Sequence, residues 1–150
     1  MGKVKSNPDK LNPLGTYQKY IQECEDLKSE LALNNKELSF LQQLLDRYFD
    51  EIVHTENLDE VRESLMRFQD LCYNCGRLKK RVEDQHQLLV DIMNGALDYD
   101  PTSLQKEQTW IEKCKSSIMK DCKTVKKEIL NIANEVIQMN KDNNDLVFQA

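Results

Sequence analysis

Glycine and proline are scarce in this chain, four and three among 150 residues, and the three prolines (Pro8, Pro13, Pro101) lie outside its periodic stretches. Long runs are therefore left without a helix breaker. An apolar run of the roughly 20 residues needed to cross a bilayer is also missing, as is the apolar core of a secretory signal. These absences predict a soluble, cytoplasmic chain. A glycine-rich phosphate loop, a GxSxG elbow and an EF-hand loop are all lacking. The two histidines, His54 and His86, stand outside any HExxH or ExxH context. Neither a catalytic constellation nor a cofactor or metal site is expected, and the chain reads as a non-enzyme.

Charge is plentiful but mixed. Charged residues make up 31% of the chain with a net charge of -5, both signs interspersed, which describes a solvated acidic surface. No basic stripe with interleaved aromatics is present to track a phosphate backbone, so no nucleic-acid partner is expected. The one local basic run, Arg77-Leu78-Lys79-Lys80-Arg81, is followed at once by Glu83 and Asp84.

The five cysteines (Cys24, Cys72, Cys75, Cys114, Cys122) are odd in number and fall inside helical patterns. That usage predicts free thiols in a reducing compartment. Cys72 and Cys75 form a CxxC, but it sits in heptad-like spacing, and Cys114 and Cys122 are too far apart for the usual second half of a zinc site.

What the sequence does hold is helical periodicity. Tyr17, Tyr20, Cys24, Leu27, Leu31, Asn34, Leu38, Leu41, Leu45, Tyr48 and Ile52 alternate in steps of three and four, a coiled-coil seam. Asn34 is its single fully polar member, either a register-fixing residue or a partly wet position. A second seam runs Leu58, Val61, Leu65, Phe68, Leu71, Cys75, Leu78, Val82, Gln85, Leu89, Ile92, and a third runs Leu104, Ile111, Cys114, Ile118, Cys122, Val125, Ile129, Ile132, Val136, Met139. Gly76 inside the second segment marks either a close helix approach or a tolerated defect.

Turn chemistry separates the segments. Thr55 or Asn57 is expected to N-cap the second helix, Asn94-Gly95 to end it with a left-handed residue, and Asp100-Pro101 to cap and start the third. Connections this short predict antiparallel neighbours. The expectation is an all-α, elongated, antiparallel three-helix bundle over residues 16–146, with helices near 16–54, 57–94 and 101–143, after a flexible tail at 1–15. Each helix would be about 35 to 45 residues and roughly 50 to 65 Å long. The same heptads can also pair between chains, leaving homo-oligomers open.

Apolar residues beside the seams, notably Phe40, Leu44, Phe49, Leu88 and Trp110, are in excess of what the seams need. They predict contacts with other proteins, the expected targets being helical or coiled-coil partners in a cytoskeletal or other multiprotein assembly. Trp110 suits either a core anchor or an interface anchor. At the N-terminus, Met1-Gly2-Lys3-Val4-Lys5-Ser6 fits the pattern for myristoylation of Gly2, and Lys3, Lys5 and Lys10 would add attraction to anionic lipid. A membrane role rests on that acylation alone.

The three heptad helices resemble a spectrin-type repeat in layout, and Gln108-Thr109-Trp110-Ile111 is similar to the tryptophan-bearing start of such a repeat's first helix. Here that tryptophan falls in the third segment and no second copy follows, so the resemblance implies a fold and neither actin binding nor a repeat array. The layout also resembles the three-helix BAG domain. That resemblance implies a regulatory domain binding a chaperone ATPase, with Arg77, Lys80, Arg81 and Gln85 as contacts.

Overall fold

A computed structural model describes the backbone of residues 13–95 and 98–149, with side chains described up to Asp142. Gly2 and the rest of the tail through residue 12 lie outside the described residues, as do the side chains of the final apolar stretch. Four helices account for nearly all of the rest: α1 (Pro13–Arg47), α2 (Phe49–Ile52), α3 (Leu58–Met93) and α4 (Pro101–Gln149). The fold is an all-α helical bundle, with no strand among the described residues.

The helix ends follow from local chemistry. Pro13 opens α1, where its missing N–H has no intrahelical acceptor to lose. Tyr48, at φ -106° and ψ 19°, leaves the helical conformation for one residue and divides the expected first helix into α1 and α2. Thr55 does not cap α3. Its hydroxyl instead donates to the Ile52 carbonyl at 2.9 Å, and Asn57 occupies the position before α3, its carbonyl accepting from Val61 N–H at 3.0 Å. Gly95 ends the second long helix at φ 105°, a conformation disfavoured for any residue with a Cβ. Asp100 caps α4: its carboxylate accepts from Thr102 N–H at 3.0 Å and from the Ser103 hydroxyl at 2.9 Å, and these bonds hold its pKa below the usual range.

The packing divides into two compact units, the first comprising Met1–Ala32 with Gly76–Ser116 and the second Leu33–Cys75 with Ser117–Ala150. In each, α1 runs parallel to α4 and α3 runs against α4. The first unit shows this by Cys24 beside Gln108 and Glu30 beside Lys115, against Arg81 beside Glu107 and Gln85 beside Leu104. The second shows it by Asn34 beside Met119 and Glu37 beside Lys126, against Arg67 beside Glu128 and Cys75 beside Cys122.

The interior of the first unit is built from Leu27, Leu31, Leu78, Val82, Leu89, Leu104 and Ile111, with Tyr17 and Cys24 at α1. Tyr17 meets Tyr99 edge-on at 5.9 Å, and burial, with Tyr99 adding to it, pushes its hydroxyl up to about 12. The second unit buries Leu38, Leu41, Leu45 and Ile52 against Val61, Phe68 and Leu71 and against α4 from Ile118 to Val136. Each such side chain contributes about 1.5–3 kcal/mol when fully removed from water. Two seam details differ from the sequence reading, and the choice left open at Gly76 falls to the tolerated defect. Gly76 has nothing within 4 Å of an added Cβ, so it marks no close approach. Met139 is 51% exposed and leaves the seam, whereas Gln108 and Ala133 join the interior.

Candidate interaction surface

The basic run on α3 is largely committed within the first unit. Arg81 grips Glu107 with two hydrogen bonds, Nε to Oε2 at 2.9 Å and the second at 2.5 Å. Its guanidinium lies 3.6 Å above the Trp110 ring, which is half-buried beneath it. Trp110 is thus a rim anchor covered by its own chain, held by a cation–π contact. Lys80 pairs with Asp84 one turn along at 3.2 Å, and Arg77 is exposed.

Gln85 is not a surface contact at all. It is 4% exposed, donating to the Leu104 carbonyl at 3.1 Å and to Gln108 Oε1 at 3.2 Å. The Cys24 thiol reaches the same oxygen at 3.8 Å, and burial pushes that thiol up to about 11. Gln108 Nε2 is buried without a hydrogen-bond partner. Heptad spacing places Gln85 on the second seam, whereas Gln108 fills the gap that the third seam leaves between Leu104 and Ile111.

Histidines and cysteines fall into separate settings. His54 Nδ1 lies 2.6 Å from the Asp50 carbonyl on an exposed turn, and His86 Nε2 lies 3.4 Å from Glu25. All five cysteines are free. In the second unit the Cys75 thiol donates to Cys122, which raises the first pKa and lowers the second, and Cys72 is close by. Among the described residues, no group of three or more His, Cys, Asp or Glu is placed to hold a metal ion. None of their helices is long and apolar enough to cross a membrane.

The second unit carries the exposed apolar surface. Leu33 is 62% and Phe40 57% exposed, with Leu44 half-buried. At about 100° per residue these three lie within roughly 40° on one line of α1. The side of α4 facing α1 is identified by Asn34 Nδ2 against Met119 Sδ at 3.2 Å and by the Lys126–Glu37 ion pair. Leu130 and Ile137, four and eleven residues after Lys126, fall within about 40° of that side; Leu130 is 41% exposed and Ile137 half-buried. Leu33, Phe40 and Leu44 on α1 and Leu130 and Ile137 on α4 thus flank one inter-helix seam. Phe49, 56% exposed, belongs to α2, beyond the break at Tyr48, and Leu88, 39% exposed, belongs to the first unit.

No protein-family model, no curated protein and no solved structure matches this chain.

Proposed function

We propose that the chain is a non-enzymatic protein-interaction module, an adaptor or scaffold subunit of a cytoskeletal or other multiprotein assembly, which docks a partner helix on the second unit. The observation that carries this reading is the exposed line Leu33–Phe40–Leu44 beside Leu130. Apolar side chains at i, i+7 and i+11 share one line of a helix, and such a line left unpartnered is what a helix-in-groove contact requires. Burying a leucine or phenylalanine contributes about 1.5–3 kcal/mol, so a few such residues support a modest affinity once association costs are subtracted. The five free thiols favour a reducing compartment, the cytoplasm. A regulatory contact through the α3 basic run is the weaker reading, because Gln85 is inside and Arg81 is tied to Glu107 and Trp110.

A photo-crosslinking phenylalanine analogue at position 40, compared with the same analogue at exposed Gln69 on α3, tests the assignment in the protein's native cells. Position 40 should give a dominant adduct whose partner peptide is a helix with an apolar heptad face. Equal adducts at both positions, or none at position 40, would remove the basis for the proposal.

A further inference from the structure

We propose that the occupant of this surface is an acidic amphipathic helix, an inference that rests on the docking reading above. Lys36 and Arg47 flank the line on α1, four residues before and seven after Phe40, each within about 40° of it. Lys123 and Lys127 flank the α4 side, seven and three residues before Leu130, within about 60°. All four are exposed. The acidic groups at this seam are engaged inside it: Glu37 with Lys126 and Glu51 with Asn140. An apolar line about 16 Å long, from its eleven-residue span at 1.5 Å each, therefore has a basic border on both outer sides.

This border runs against the chain's net charge of -5, so it is a local feature that steers a negatively charged partner. A second copy docked two-fold through the same surface would set Lys36, Arg47, Lys123 and Lys127 against one another, since an isologous contact pairs a patch with itself. The fitting ligand is a helix with leucine-like residues at i, i+3, i+4 and i+7 and Asp or Glu on both edges of that face. An anionic lipid surface offers the same charge but no ridge to enter the seam between two parallel helices, and the apolar line lacks the broad aromatic face of an interfacial helix.

The test uses a fluorescent synthetic helix of about three heptads with Leu at the a and d positions and Glu at e and g, and a twin in which each Glu is Lys. The intact chain should bind the Glu peptide at least about tenfold more tightly than the twin, and raising salt from about 50 to about 300 mM should weaken it several-fold. The quadruple variant K36E/R47E/K123E/K127E should reverse the preference, and Phe40→Asp should abolish binding of both; circular dichroism confirms that each variant keeps its helix content. Equal binding of the two peptides, lost with Phe40→Asp, would overturn the acidic occupant and leave the docking surface standing. Binding of neither peptide, or binding indifferent to Phe40→Asp, would overturn the docking surface itself. Capture by phosphatidylserine vesicles without peptide binding would replace the helix by a lipid.

Discussion

The two units solve opposite problems with the same three helix segments. Of the four buried polar residues among those described, Thr16, Gln85 and Gln108 lie in the first unit and Ser64 in the second. Of the ten large hydrophobic residues left exposed among those described, seven lie in the second: Leu33, Phe40, Phe49, Met66, Tyr73, Leu130 and Met139. The first unit thus takes polarity inward and closes its aromatic rim with Arg81, while the second keeps a nearly all-apolar interior and shows further apolar residues to solvent. A hydrogen-bonded layer restricts how helices can slide, because a shift would leave its amides against apolar neighbours. Surplus apolar surface instead makes a face available to something else.

The sharpest way to break this contrast is to empty the more apolar interior, that of the second unit. Phe68 is the largest fully buried side chain, and Phe68→Ala should cost about 3–5 kcal/mol in urea unfolding. Next in size, Gln85→Leu in the first unit should cost about 1–3 kcal/mol because it removes the amide donor to the buried Gln108 Oε1, whereas the double change Gln85→Leu/Gln108→Leu should recover most of that loss. If the single and double variants are equally unstable, the layer's hydrogen bonds are not the cause. Gly76→Ala should raise stability by about 1 kcal/mol, since the site is an exposed helix interior with open space around the added methyl; a loss would mean a contact absent from this structure.

The smallest effect separates the units by sign. Arg67 and Ser64 hold the Glu128 pKa below its ordinary value, so its contribution is complete above the unfolded pKa and disappears as pH falls through the folded one. Glu23 is shifted the other way, by burial first and then by Glu112 across from it. Its folded pKa exceeds the unfolded one, so mild acid protonates it in the folded state first and adds stability. Comparing urea midpoints at about pH 7 and about pH 4.5, Glu128→Gln should lessen the acid-side loss and Glu23→Gln should deepen it. Shifts of the same sign in both variants would contradict the assignment.

Much of the fold was legible because heptad spacing reports burial directly. Tyr17, Cys24, Leu27, Leu31, Leu38, Leu41, Leu45 and Ile52 were read as one seam and are all buried. Gly95 and Asp100 were legible because a left-handed helix end favours glycine and a carboxylate just before proline suits an N-cap. Thr55 was not, since a hydroxyl near a helix end serves either as an N-cap or as a donor to the preceding carbonyl, and spacing does not choose. The surface was half-legible: exposure of Phe40 follows from its offset from the seam and Gln85 lies on the second seam, but periodicity cannot tell that Arg81 folds over Trp110 or that Gln85 meets the amide of Gln108. Those choices depend on which residues α4 places opposite α3.

The same cation–π cover has an optical consequence. Trp110 is the single tryptophan of the chain, so long-wavelength fluorescence reports the first unit only, from beneath a guanidinium whose release alters the indole's environment. Circular dichroism averages over all helices, and the pair of signals would therefore act as a clock: emission changing at lower urea than ellipticity would show the first unit opening while helices persist elsewhere, and coincident transitions would show one cooperative body.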